Sequence, residues 1–182
     1  EFLLRGAFLT ATTLLTSPLR LYERLRYERA VRRAAVHPAP IFIIGHWRPG
    51  TTHLHNLLCR DPRLGYVSTF QAIAPGFCLS TERLMKPLLT RILGKAHPTR
   101  LIDNMSLDRS VPCEDEFALG IATLKSPYLA LSFPRSWERY DRYLTLRGLP
   151  EREIEAWKQA LLWFVRKLTL RHEKPLVLKS PP

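Results

Sequence analysis

The residues with the clearest chemical potential form one short run, Gly45-His46-Trp47-Arg48-Pro49-Gly50-Thr51-Thr52. Gly45 and Gly50 bracket a four-residue loop, and Thr51 and Thr52 open a segment whose apolar positions Leu54, Leu57 and Leu58 have helical spacing. Free backbone N–H groups at a helix start, with the positive end of the helix dipole, bind phosphate or sulfate. The run is close to the phosphate loop G-x-x-x-x-G-K-[ST], but Thr51 occupies the slot of the lysine that reaches the β/γ-phosphates of ATP. A cation stands inside the loop instead, at Arg48. A loop that still suits phosphate but has moved its cation points to a different nucleotide. An ordinary strand, turn and helix with glycines in the turn is the plain alternative.

Such a loop needs a strand before it and a helix after it. Ile41 to Ile44 is a short apolar run of the kind a parallel sheet buries on both faces. Tyr66 to Phe70 reads as another strand, and Leu176 to Leu178 as a third. Glu151 to about His172 is the clearest amphipathic helix, with the stripe Ile154, Trp157, Leu161, Phe164 or Val165, and Leu168. Pro150 and Glu151 suit its first turn, and Lys174-Pro175 ends it. Ala72 to about Arg100 suggests helical segments divided by prolines, and Leu101 to Pro112 reads as a polar loop. Glu114-Asp115-Glu116 begins a helix carrying Phe117, Leu119 and Ile121, and the helix dipole alone favours acids in a first turn. Alternating strands and helices predict a parallel α/β sheet flanked by helices. Ligands bind such sheets beyond the carboxyl ends of the strands. Arg48 and Lys179 each follow a short apolar strand, so both are expected at that edge.

The loop resembles the 5′-phosphosulfate loop of sulfotransferases that use 3′-phosphoadenosine 5′-phosphosulfate (PAPS), in the bacterial-type branch with an Arg-Ser-Gly-Thr-Thr core, distantly like the tyrosylprotein sulfotransferases. Pro112-Cys113-Glu114-Asp115-Glu116-Phe117 resembles the acidic Pro-x-Glu-Asp-Glu-Phe segment of that branch. Leu176-Val177-Leu178-Lys179-Ser180-Pro181 resembles its strand ending in Lys-Ser-Pro. Pro49 stands where the branch has serine, which removes a hydroxyl and a backbone N–H from the cradle. The resemblance implies a P-loop-like α/β fold, with residues 37–182 as the N-terminal part of a sulfotransferase domain that continues beyond residue 182 in family members.

It also implies a reaction. An acceptor hydroxyl attacks the sulfur of PAPS in line, and adenosine 3′,5′-bisphosphate leaves. Arg48, Pro49, Gly50, Thr51 and Thr52 form the donor loop, and Ser180 supports the donor site or caps the next element. Arg48 and Lys179 stabilise the developing charge on the bridging oxygen. Glu114 or Glu116 is the expected base, with Asp115 a weaker candidate and His46 and His53 in reserve. Gln71 lies where the tyrosylprotein relatives hold a base, and an amide has no basic lone pair to offer. No metal is required, and the spacing of His46, His53 and His55 is not a standard ligand pattern.

Composition narrows the alternatives. A chain of 182 residues with 46% hydrophobic residues can bury a substantial core. Lys and Arg number 28 against 16 Asp and Glu, an excess that favours anionic partners. No nucleic-acid module accompanies these charges, and a PAPS site itself needs positive potential. Cys59, Cys78 and Cys113 are scattered, which suits reduced thiols in a cytoplasmic protein. A nucleotide kinase or NTPase would need the missing lysine and a magnesium-binding acid. A non-catalytic polyanion-binding protein would show salt-dependent affinity without preference for PAPS.

Residues 1–36 stand apart. Phe2, Leu3, Leu4, Phe8, Leu14 and Leu15 are interrupted by Arg5, Pro18 is expected to break the pattern, and Leu21, Tyr22 and Leu25 resume it in a basic helix running to about Val36. The apolar part is too short and interrupted to span a membrane, and no small-residue cleavage site makes it a signal peptide. It can lie on an anionic membrane surface or pack on the domain or a second subunit, and packing is the favoured expectation.

Overall fold

The computed structural model describes residues 2–45, 50–93 and 111–180. Its sheet has three parallel strands, β1 (Ile41–Ile43), β2 (Gly65–Tyr66) and β3 (Leu176–Lys179), in the order β1-β3-β2. All four residues of the central strand β3 are buried, as its run of Leu, Val and Leu requires. Register pairs Ile43 with Lys179 on one side and Tyr66 with Val177 on the other. β1 departs from the expectation of a strand buried on both faces. It is hydrogen-bonded only to β3 among the described residues, and Ile41 and Phe42 stay exposed while Ile43 is buried.

Helix α1 spans Phe2–Arg33, α2 Thr51–Leu58, α3 Thr69–Ile73, α4 Cys78–Leu93 and α5 Asp115–Thr123. Two one-turn helices follow, α6 (Tyr128–Ser132) and α7 (Trp137–Asp141), and then α8 (Glu151–His172). The bounds of α8 are those of the sequence expectation. Its burial is concentrated at Phe164, Val165 and Leu168, which pack with Val67, Ala72, Cys113, Ala118, Leu176 and Leu178 to form the main core. Gly65 is held tightly here. A Cβ on it would lie 2.8 Å from His172 Cβ, so only glycine lets β2 approach α8 this closely.

Other expectations are corrected as well. The predicted strand from Tyr66 to Phe70 is a two-residue strand followed by a helix, because Ser68 caps α3. The Ser68 N–H donates to Gln71 Oε1 at 2.9 Å, and the Gln71 N–H donates to Ser68 Oγ at 3.3 Å. Gln71 is thus part of a capping box. Pro18 does not break α1, which runs through it, and Pro87 likewise lies inside α4. The N-terminal helix packs only in part. Val31 and Glu23 are buried, whereas no described side chain from residue 4 to residue 18 is. The expected polar loop, Leu101 to Pro112, lies mostly outside the described residues.

Buried ion pairs tie the helices together. Glu23 on α1 meets Lys167 on α8, and both side chains are almost fully buried. Glu23 also accepts from the Ser80 N–H at 2.8 Å and from Ser80 Oγ at 2.9 Å, while Lys167 donates to the Pro75 carbonyl. The Lys167 ammonium lies 4.5 Å from the Trp163 ring centroid. On α4, Glu82 accepts from Arg171 Nε at 2.9 Å and Gln71 Nε2 at 3.2 Å. These contacts hold α1, α3 and α4 against α8, the helix beneath the central strand.

Candidate active site

The site forms where β3 ends. Lys179 is the last residue of that strand and lies level with Ile43, so its chain position is beside the start of the loop that leads to α2. Gly50 caps that helix with φ 91° and ψ 12°, a left-handed conformation that disfavours any side chain. Thr51 and Thr52 form the first turn, both half-buried. Arg48 and Pro49, with His46, lie outside the described residues.

Lys179 is 4% exposed. Its ammonium donates to Thr52 Oγ1 at 3.3 Å and is paired with Glu114 Oε1. Glu114 is the N-cap of α5 but makes no side-chain cap hydrogen bond, because its carboxylate is turned to Lys179 and Tyr128 instead. Its second oxygen, Oε2, accepts from the Tyr128 hydroxyl. The Tyr128 ring packs on Phe117 with centroids 4.9 Å apart. Burial first, and then the adjacent Glu114 carboxylate, push the Tyr128 phenol far up, so it remains a proton donor throughout the ordinary pH range. One cation, one carboxylate, one phenol and one threonine therefore form a continuous chain of contacts from α2 through β3 and α5 to α6.

The other two acids lie behind this chain. Glu116 is buried, and Ser180 Oγ stands 3.5 Å from its Oε2. Ser126 also donates to it, yet burial dominates and pushes its carboxyl up to about 7. Asp115 is pushed up to about 6, again mainly by burial, and the backbone N–H of Lys179 opposes that shift. Asp115 Oδ1 and Glu116 Oε1 are buried without a hydrogen-bond partner among the described residues. Asp115 thus lies against the backbone of Lys179, Glu114 holds its ammonium, and Glu116 faces Ser180 next along the chain.

The structure brings together Thr52, Lys179, Glu114, Glu116 and Ser180, all named from sequence, and places Gly50 and Thr51 at the adjoining helix start. His53 is exposed and His55 is buried. No three His, Cys, Asp or Glu side chains come together as a metal site among the described residues. Sequence reasoning missed Tyr128 and Ser126. Their only signal was the polar pair flanking Pro127 at the start of an otherwise apolar segment.

Comparison with known proteins finds sulfotransferases. The chain is 37% identical over 172 residues to omega-hydroxy-beta-dihydromenaquinone-9 sulfotransferase Stf3 of Mycobacterium bovis and to that of Mycobacterium tuberculosis. The alignment covers 94% of the chain and 43% of each relative, so the chain spans less than half the length of the curated relatives it matches. Among solved structures, the sulfotransferase STF9 of Mycobacterium avium superposes with a TM-score of 0.57 at 21% identity, over 90% of this chain and 41% of that one. That likeness shows a shared fold. No protein-family model matches the chain.

Proposed function

We propose that this chain, a member of the sulfotransferase family, supplies the donor-loop and charge-stabilising part of an enzyme that moves a sulfuryl group from PAPS to an acceptor hydroxyl. The observation that carries the reading is the meeting of Lys179, Glu114 and Thr52 at the carboxyl end of the central strand, beside the helix start that follows Gly50. In this reading the backbone N–H groups of the loop from Arg48 to Thr52 and the two threonine hydroxyls hold the 5′-phosphate of the donor. The acceptor oxygen forms a bond to sulfur as the bond from sulfur to the bridging phosphate oxygen breaks. Arg48 and Lys179 meet the charge that develops on that oxygen. The acceptor proton passes to a carboxylate, and Glu114 is the best-placed base because it touches Lys179 directly. Glu116 lies deeper, against Ser180, and serves to position the donor site.

The name of the Stf3 relative specifies a hydroxylated dihydromenaquinone as its substrate. A lipid hydroxyl is accordingly the acceptor class we assign to this chain, and peripheral membrane contact through residues 1–36 would suit such an acceptor without being required for the transfer.

Calorimetry with adenosine 3′,5′-bisphosphate tests the donor site, with ATP-magnesium as comparison and Arg48→Ala and Thr52→Val as variants. The expected result is binding of the bisphosphate that both variants weaken at least tenfold. Preference for ATP-magnesium would overturn the reading in favour of a kinase-like protein. Equal, salt-sensitive binding of both would leave a polyanion-binding protein.

A further inference from the structure

We propose that α1 is a membrane-surface helix, its outward apolar stripe seated in the interface of an anionic phospholipid bilayer and its basic C-terminal turns placed over the headgroups. Leu4, Phe8, Leu14, Leu15, Leu21, Tyr22 and Leu25 are all exposed, from 57% at Tyr22 to 79% at Leu25. At about 100° per residue, Leu4, Phe8, Leu15 and Tyr22 form one row and Leu14, Leu21 and Leu25 the row beside it, all within roughly 140° of arc. Glu23, Tyr27 and Val31 lie on the opposite side, and among the described side chains of this helix Glu23 and Val31 are the buried ones. The stripe from Leu4 to Leu25 extends along about 32 Å of helix. None of the side chains of this stripe is buried against the described residues.

Charge identifies the occupant. Arg26, Arg29, Arg32 and Arg33 continue the same outward arc beyond Leu25, and all four are exposed. Glu28 is the one acid nearby, and it is paired with Arg32 at 2.7 Å. An apolar stripe running into a basic cluster on one face matches the acyl boundary and the anionic headgroups of a bilayer. A second copy of this helix would bring those arginines against each other or against apolar surface. No helix among the described residues is long and apolar enough to cross a membrane, so α1 lies along the surface. Pro18 sits within the outward arc, where its missing N–H and its ring leave the packed face undisturbed.

Flotation with phosphatidylcholine vesicles containing phosphatidylglycerol, against pure phosphatidylcholine vesicles, tests this without donor or acceptor. It is therefore independent of the catalytic reading. The protein is expected to float with the anionic vesicles, and 0.5 M salt should reduce that binding about tenfold. Leu14→Glu/Leu21→Glu and Arg29→Glu/Arg33→Glu should each reduce it at least tenfold. Unchanged circular dichroism and melting temperature would confirm that both variants fold. Failure to float with anionic vesicles, or binding indifferent to both double variants, would overturn the proposal. A dimer by light scattering that Leu14→Glu/Leu21→Glu dissolves, with no vesicle binding by the parent chain, would overturn it in favour of a second copy.

Discussion

Replacing Lys179 by Met removes the cation from a site where its carboxylate partner is largely desolvated. The lysine is 4% exposed, and the Glu114 side chain retains 14%. Breaking one side of a buried pair leaves an uncompensated charge, and the lower end of the usual range, about 3 kcal/mol, applies because Glu114 keeps some solvent and the Tyr128 hydrogen bond. For a chain of this size that is a fall of roughly 6–12 °C in melting temperature. Glu114→Gln should cost a similar amount, since it leaves the buried ammonium with a neutral amide and Thr52 and no countercharge. The double variant Lys179→Met/Glu114→Gln removes both charges and should recover more than half of the loss. Activity separates stability from chemistry. If Lys179 stabilises charge in the transition state, Lys179→Met loses about 10²–10³ in kcat, and the double variant regains stability without regaining rate. Melting curves beside a radiolabelled sulfuryl-transfer assay read both quantities. A double variant that recovers its rate would refute a catalytic role and leave Lys179 as a structural ion. Single variants with unchanged melting temperatures would refute the buried pair itself.

Three further outcomes follow from the same geometry. Gly50→Ala places a Cβ in open space but at φ 91°, so backbone strain alone should cost about 1–2 kcal/mol and weaken adenosine 3′,5′-bisphosphate binding in calorimetry. Glu116 has a carboxyl raised to about 7, above its unfolded value of 4.5, so the native state holds this proton more tightly than the unfolded chain. Its contribution to stability is complete below about pH 4.5 and is lost as pH rises through about 7, and Glu116→Gln should flatten the melting temperature across that window. Gly65→Ala forces a Cβ to within 2.8 Å of His172 Cβ and 2.9 Å of its Cγ, and denaturant unfolding should show a loss of about 1–3 kcal/mol.

The loop-bearing unit and the last helix–strand pair were legible because their signals are local. Glycine, threonine and a run of Leu, Val and Leu specify β1, α2 and β3 within a few residues each. The period of α8 extends over 22 residues, long enough that no other element fits it. What failed to show depended on distant partners. Val67 to Phe70 has strand-like composition, but Ser68 makes an isolated antiparallel bridge to Pro112, and its side chain serves the Gln71 amide. Ser68 and Gln71 carry the Ser-x-x-Gln capping signature in a stretch whose composition is otherwise of high β propensity. The role of Tyr128 could not be read, since nothing along the chain indicates that α6 folds back onto the start of α5. Lys167 reads as an ordinary surface position on a basic helix until Glu23, 144 residues earlier, is found against it.

The pairing of Lys179 with Glu114 bears on how an acid–base pair would be released during transfer. The Lys179 ammonium and the Glu114 carboxylate satisfy each other. A sulfated phosphate seated on Thr51 and Thr52 offers the same ammonium a second anion, and Thr52 Oγ1 already lies 3.3 Å from it. In the transfer proposed above, the bridging oxygen would compete with Glu114 for Lys179 as it gains charge. A carboxylate that loses part of its cation becomes a stronger base. The acceptor proton is being released at that same moment. Tyr128 keeps one carboxylate oxygen fixed throughout, because its phenol stays protonated, and so the other oxygen alone changes partner. On that proposed mechanism, donor binding and base activation would be a single event. A site with the same residues but with Lys179 free in the resting state would lack that coupling.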